Sequence, residues 1–278
     1  MGRQGNIEIF EDTEKLCKMN ERLKCSIQNS RENQTLILEN DMILEDEINL
    51  EKYKNPAKVV VSQKRSFEAA REYSDKKVCV LNFASATNPG GGVTKGSSAQ
   101  EECLCRCSTL YFSLNTKDMW QGFYSPHRYI VNPLHNDDII YTPDVTVFKS
   151  DTASPRVLPE KDWYNVNMLT CAAPNLREKP GNNMNQGDGN VGVKISDKEL
   201  LAIHEKRLKR ILDVAVKEEN EVVILGAFGC GAFQNSPYVV ARAAKNVIQH
   251  YLHAFEVIEF AVFCSGTDQT NYQAFKIL

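Results

Sequence analysis

The sequence predicts an α/β protein built on one sheet with helices on both faces, and three observations carry that prediction. Six short runs of β-branched and aromatic residues recur along the chain, helical patterns fill most of the gaps between them, and apolar residues make up 42% of the 278. Alternation of strand and helix patterns is the signature of a sheet whose faces are both covered. The apolar share is enough for a sizeable core without help from metals or disulfides.

The chain opens on a charged, helix-like stretch from Asn6 to about Gln34, with Ile9, Phe10, Leu16, Met19 and Leu23 at mixed spacings of three and four. This predicts an amphipathic helical extension, residues 1–56, packed as an arm on a body formed by residues 57–278. The six strand runs follow: KVVVSQ from Lys58, VCVLNFAS from Val78, DIIYTPDVTVF from Asp138, YNVNMLTCAA from Tyr164, VVILGAF from Val222 and IEFAVFC from Ile258. Ser196 with Glu199 has capping-box spacing and opens a helix carrying Leu200, Leu201, Leu208, Ile211 and Leu212. Ser236 and Pro237 suit the cap and first position of the next helix. Between Lys179 and Val193 the text KPGNNMNQGDGNV is a long loop, a length that is uncommon without a function or mobility.

Charge narrows the partners. A formal net charge of -3 gives no overall basic footprint for gripping nucleic acid, so an anionic ligand must be held locally. No apolar run reaches the length that spans a bilayer, MGRQGNIEIF has no apolar leader region, and Asn6 stands where a myristoylation motif wants Ser or Thr. The expected compartment is the cytoplasm, and the expected state a monomer. Nine cysteines sit mostly inside apolar segments, as reduced core thiols do. Cys103, Cys105 and Cys107 form the exception, but no CxxC pair accompanies them, so neither a metal nor any other cofactor is expected.

Chemistry concentrates between Asn82 and Arg106, where an apolar strand runs into Gly90, Gly91 and Gly92 and then a helix. Consecutive glycines let a ligand approach backbone amides, which form anion-binding concavities, although a plain strand-to-helix turn explains them equally well. Ser98 and Glu101 have capping-box spacing, which assigns Glu101 to the helix start. Glu102 lies about 100° further round the helix and is therefore expected to point elsewhere. A second glycine-rich loop, Gly226, Ala227, Phe228, Gly229, Cys230, Gly231, Ala232 and Phe233, follows a buried strand and precedes a helix, an arrangement suited to a diphosphate. Its G-x-x-G-x-G spacing departs from the Rossmann fingerprint. Phe233 reads either as a ligand contact or as a core anchor. Cys230 among amides reads weakly as a nucleophile of lowered pKa, and His127 and His135, in loop-like text, read as surface histidines.

The text GGG, seven residues, then QEE resembles the GGG-X6-8-QEE signature of poly(ADP-ribose) glycohydrolases. VLNFASATNPGGG, IIYTPDVTVFKSD, LTCAAPNL and GAFGCGAFQN resemble, in the same order, blocks of their bacterial branch, over roughly residues 57 to 277. The resemblance implies a macrodomain with a mixed six-stranded sheet, and hydrolysis of ribose-ribose bonds in poly(ADP-ribose), free or on modified proteins. It implies Glu102 as general acid and base beside Glu101, with Asn88 on the distal ribose and Gln100 and Glu101 near sugar hydroxyls. The second loop would wrap the diphosphate, and Phe233 would pack on the distal ribose. The alternatives are a module that binds ADP-ribose without cleaving it, or a hydrolase of another ADP-ribosyl linkage on protein or nucleic acid. Tyr272 and Phe275 are weak candidates for the adenine pocket.

Overall fold

A computed structural model describes residues 2–43, 49–182, 187–264 and 266–278. In chain order the elements are α1 (Arg3–Met19), α2 (Glu21–Glu32), β1 (Thr35–Ile37), β2 (Lys58–Ser62), α3 (Ser66–Arg71), β3 (Val78–Phe83), α4 (Gln100–Cys107), α5 (Leu110–Leu114), α6 (Lys117–Met119), α7 (Ser125–Ile130), β4 (Ile139–Val147), β5 (Tyr164–Cys171), α8 (Asp197–Lys217), β6 (Val222–Leu225), α9 (Pro237–Ile248), β7 (Val257–Ala261) and α10 (Thr270–Phe275). All six expected strand runs are strands. The sheet nevertheless has seven, in the order β1-β4-β5-β3-β6-β7-β2, which corrects the expectation of six. The extra strand is β1, three residues inside the arm that pair antiparallel with β4. Three residues are too few for a period-2 pattern to show.

The sheet is mixed. β4 runs antiparallel to β1 and β5, while β5, β3, β6, β7 and β2 run parallel. Side chains alternate along β3 as the pleat requires: Val78 and Val80 enter the layer beneath α3, α4 and α5, while Cys79 and Leu81 enter the layer beneath α8 and α9. Ser196 caps α8 through the full capping box with Glu199, as its spacing predicts. Ser236 precedes α9 with Pro237 in the first turn, but its side chain makes no cap bond. No helix among the described residues is long and apolar enough to cross a membrane.

The helix-like stretch that opens the chain forms two helices, α1 and α2. Asn20 breaks the run in extended conformation, and its side chain accepts the Leu23 N–H to start α2. The arm docks through polar as well as apolar contacts. Lys149, buried, reaches the Ile9 carbonyl at 2.9 Å, the Thr13 hydroxyl at 2.8 Å and Asp12 at 2.7 Å. Thr13 in turn donates to the Arg106 carbonyl in the last turn of α4 at 2.6 Å, and Asn6 donates to the Gly96 carbonyl at 3.0 Å. Phe10 is 2% exposed and packs edge-on against Tyr111, ring centroids 5.0 Å apart. Truncating a buried phenylalanine typically costs about 3–5 kcal/mol. Phe10→Ala should therefore lower the unfolding free energy by about that amount in denaturant titration, and a loss below ~1 kcal/mol would show that the arm adds little to the fold.

Candidate active site

The site begins where two parallel strands part. β3 pairs with β5 as far as Phe83↔Cys171 but with β6 only as far as Val80↔Ile224. Leu81 and Phe83 therefore lose their partners on the β6 side. Gln100, the first residue of α4, fills the gap: its amide donates to the Leu81 carbonyl at 2.8 Å and to the Ser66 hydroxyl at 3.0 Å, and its oxygen accepts the Phe83 N–H at 2.9 Å. The side chain stands in for a strand and pins the start of α4 to the carboxyl end of β3. It is thereby bonded to protein groups while lining the cleft.

Glu101 does not cap its helix. The cap residue of α4 is Ala99, without a side-chain bond, and Glu101 turns to the β3 exit, where Oε2 accepts the Ser85 N–H at 2.7 Å and Oε1 accepts from the Asn82 amide at 3.2 Å. The buried, otherwise orphaned backbone at the end of β3 makes the stronger claim on this carboxylate. Nor do the two carboxylates diverge as the helical angle suggested. Glu102 Oε1 accepts the Gly92 N–H at 2.9 Å, and a Cβ built on Gly91 would lie 2.6 Å from that oxygen and 3.1 Å from Glu101 Oε2. Both acids face the same glycine, whose φ of 57° is strained for any other residue and where a side chain would fit only if the Glu102 carboxylate moved.

Both carboxyls are buried, and burial raises both pKa values. Glu101 is raised to about 8 by desolvation and then by the charge on Glu102, against the donors from Ser85, Asn82 and Gly90. For Glu102, desolvation is opposed chiefly by the Gly92 N–H, then by its own backbone N–H and by Arg106. One difference separates them: both Glu101 oxygens are bonded, whereas Glu102 Oε2 is buried and has no partner. Both acids line a cleft of about 990 Å3 at the carboxyl ends of the parallel strands.

The rest of the cleft comes from the second glycine-rich loop and two arginine-aromatic pairs. Gly229, at φ 78°, sits so close to Ala173 that a Cβ would meet it at 2.7 Å. Asn235 holds this loop from behind, its amide donating to the carbonyls of Pro174, Gly229 and Phe233, while its oxygen lies 2.8 Å from Nε2 of buried His204. Burial depresses His204 to about 4, so it is neutral at physiological pH. The N–H groups of Gly231, Ala232 and Phe233 make no hydrogen bond among the described residues and lie at the cleft wall. Phe233 lines the cleft between the Arg177 guanidinium, 5.7 Å from its ring centroid, and His135, 5.9 Å away. At the other wall Arg65 lies over Phe263 at 4.1 Å.

Several expected site residues lie elsewhere. Gly226, Phe228 and Cys230 back the loop: Phe228 is buried against Phe83 and His204, and the Phe228 and Cys230 amides donate within the loop. Burial pushes the Cys230 thiol up, opposite to what a nucleophile needs. Gly90 packs under Tyr111 and Cys105, and the Asn88 side-chain oxygen accepts from Arg128. Cys105 and Cys107 are core residues, while Cys103 lines the cleft beside Arg65 and Arg106. His127 and His135 are buried rather than on the surface, because each is needed by an interior carbonyl, Phe123 at 2.8 Å and Ala173 at 2.7 Å. Phe275 is core against Phe260, and Tyr272 is packed beside it, so neither lines the cleft. Within the long loop, residues 183–186 lie outside the described residues. Asn82, Ser85, Asn235, Arg65 and Phe263 were not singled out from the sequence. Asn82, a polar residue inside an apolar strand, was the one readable signal among them.

Fold and cleft together define an α/β protein with a carboxylate pair at the carboxyl end of its central strand. The sequence profile of the microbial-type PARG catalytic domain matches residues 4–150, and the chain belongs to this family. The solved poly(ADP-ribose) glycohydrolase of Thermomonospora curvata is similar over 99% of both chains at 27% identity, TM-score 0.85. The same enzyme bound to the inhibitor ADP-HPD gives 26% and 0.83, again over 99% of both chains. The Deinococcus radiodurans enzyme in complex with ADP-ribose is 31% identical, covering 90% of this chain and 96% of that one, TM-score 0.76. No curated protein matches.

Two outcomes follow from the geometry. Gly91→Ala should displace the Glu102 carboxylate, and because a shift of ~1 Å can cost roughly a hundredfold in rate, turnover should fall by about that factor in a folded protein. Native Glu101 keeps its proton up to about 8, whereas the unfolded chain releases it near 4.5. Between those values the native state binds more protons, so this carboxyl's contribution to stability declines as pH rises through that window. Melting temperature measured across it should fall less steeply in Glu101→Gln than in wild type. An equal slope would mean that Glu101 is ionised in the native protein.

Proposed function

We propose that this chain hydrolyses ribose-ribose O-glycosidic bonds in poly(ADP-ribose), releasing ADP-ribose, through a macrodomain in which Glu102 is the general acid and base. The observation that carries this reading is the free, buried Oε2 of Glu102 at the cleft, beside a Glu101 whose two oxygens are already bonded. Of the two adjacent acids, Glu102 is the one with an unbonded oxygen.

In the proposed reaction Glu102 donates its proton to the leaving ribose hydroxyl oxygen as the glycosidic C–O bond breaks, through an oxocarbenium-like transition state. The carboxylate then takes a proton from water, whose oxygen bonds to the anomeric carbon, and the acid is regenerated. Burial favours the protonated acid that the first step needs. Glu101 contributes by fixing the Ser85 loop and Asn82, and Gln100 by fixing α4. The free amides of Gly231, Ala232 and Phe233 suit the diphosphate, whose charge can stabilise the developing cation. Phe233 bears on the distal ribose, and the Arg65–Phe263 pair offers a face for the adenine. We assign residues 1–56 to an arm whose bonds to Gly96 and Arg106 brace the glycine loop and α4.

Glu102→Gln keeps size and polarity but removes the acid. Positioned acid-base groups contribute about a hundred to ten-thousandfold, so release of ADP-ribose from polymer should fall by at least that much while ADP-ribose affinity stays near wild type. Full activity in this variant would sink the mechanism. A wild-type protein that binds ADP-ribose yet releases none from polymer, protein or nucleic-acid substrates would instead be a reader.

A further inference from the structure

At the amino ends of β3 and β5, on the side of the sheet away from the cleft, lies a second concavity of about 570 Å3. Arg22, Arg71, Lys76, Lys77 and Lys161 line it against Asp144 and Asp162. Of these charges Lys76 is paired, with Glu256 at 2.5 Å, whereas Arg22 donates to the Glu160 carbonyl at 2.7 Å and Asp144 accepts from the Asn29 amide at 3.0 Å, neutral partners that leave both charges in place. Arg71, Lys77 and Lys161 have no salt bridge among the described residues, and all three are exposed. With Lys76 paired, four cations stand against two carboxylates, Asp144 and Asp162, in one hollow, a local excess of positive charge on a chain whose net charge is -3.

We propose that this groove holds a diphosphate of the same poly(ADP-ribose) chain whose end is being cleaved, an inference that rests on the glycohydrolase reading. Its lining favours a ligand held by phosphates alone. Trp163 is buried with Arg22 over it, and Tyr164 is half-buried with its hydroxyl held by the Phe67 carbonyl at 2.7 Å, so little aromatic face is offered for a base to stack on. Sequence-tolerant binding of single-stranded nucleic acid relies on such faces. The six residues of β3 and eight of β5 separate groove from cleft by roughly 20–27 Å at ~3.3 Å per residue, more than one repeat seated in the cleft can bridge. A longer chain anchored at its end reaches the groove at raised effective concentration, so weak phosphate contacts suffice. The groove thus selects for chain length without touching the chemistry.

The test combines Arg71→Glu, Lys77→Glu and Lys161→Glu, three exposed positions outside the catalytic machinery. In the wild-type background KM for long polymer should rise about tenfold, with a shallower dependence on salt, while kcat and KM for the shortest cleavable oligomer stay unchanged. In the Glu102→Gln background, binding of long polymer should weaken similarly, a readout that does not need turnover. Unchanged polymer binding there, or an equal KM rise for short and long substrates, overturns the groove. Competition by single-stranded RNA of matched charge as strong as that by polymer overturns the polymer assignment in favour of nucleic acid. Absence of hydrolysis in wild type overturns the glycohydrolase reading and leaves the binding comparison to decide the groove.

Discussion

The bonds from the Gln100 side chain to Leu81 and Phe83 are the constraint on which the site depends. A parallel sheet has no spare backbone valence inside, and a buried N–H or C=O without a partner costs about 1–3 kcal/mol. Parting β3 from β6 opens a crevice at the carboxyl ends of the strands, where ligands of α/β sheets bind, but it leaves such groups bare. One glutamine at the helix start satisfies both. The next two residues are then held at the mouth of the crevice whatever else they do. The adjacency of Gln100, Glu101 and Glu102 thus translates into three jobs at one place: closing the strand end, fixing the exit loop, and presenting a carboxyl to the cleft.

Keeping that carboxyl buried demands support from outside the sheet. A short helix such as α4 has little stability of its own, and its first turn buries two adjacent carboxyls. The arm supplies part of what is missing. Thr13 reaches the last turn of α4, Asn6 and Arg3 reach the turn that follows the glycines, and Lys149 bolts α1 to the body from beneath. The family profile matches from residue 4, inside α1.

How much of this was legible in the sequence follows from which forces leave a local trace. The six long strands and the Ser196 cap of α8 did, because period-2 burial and capping chemistry are short-range. β1 left none, being three residues whose pairing with β4 is decided a hundred positions away. Glu101 was misassigned because capping-box spacing is a local rule, while the claim of Ser85 and Asn82 on its carboxylate is tertiary. The glycines were legible as a need for close approach, but only the structure says what approaches: the Glu102 carboxylate itself at Gly91, and Ala173 at Gly229. His127 and His135 looked like loop residues because nothing in their neighbourhood announces the carbonyls of Phe123 and Ala173.

Electrostatics then orders the cleft. An acid that must hold its proton near neutral pH belongs in a dry place with few donors aimed at it, whereas a diphosphate needs donors and positive charge. The chain separates the two demands. Near Gly91 and Gly92 the carboxyls are desolvated, and for Glu102 burial prevails over the Gly92 N–H and the weaker backbone donors at the helix start, so its pKa rises. Across the cleft the unbonded amides of Gly231, Ala232 and Phe233 lie beside Arg177, and no acidic side chain of that loop competes for them. Had the free amides faced Glu102, they would have stabilised its anion and removed the acid. Placing donors on one glycine loop and the proton beneath the other lets both exist within one cavity on a chain that is itself negatively charged.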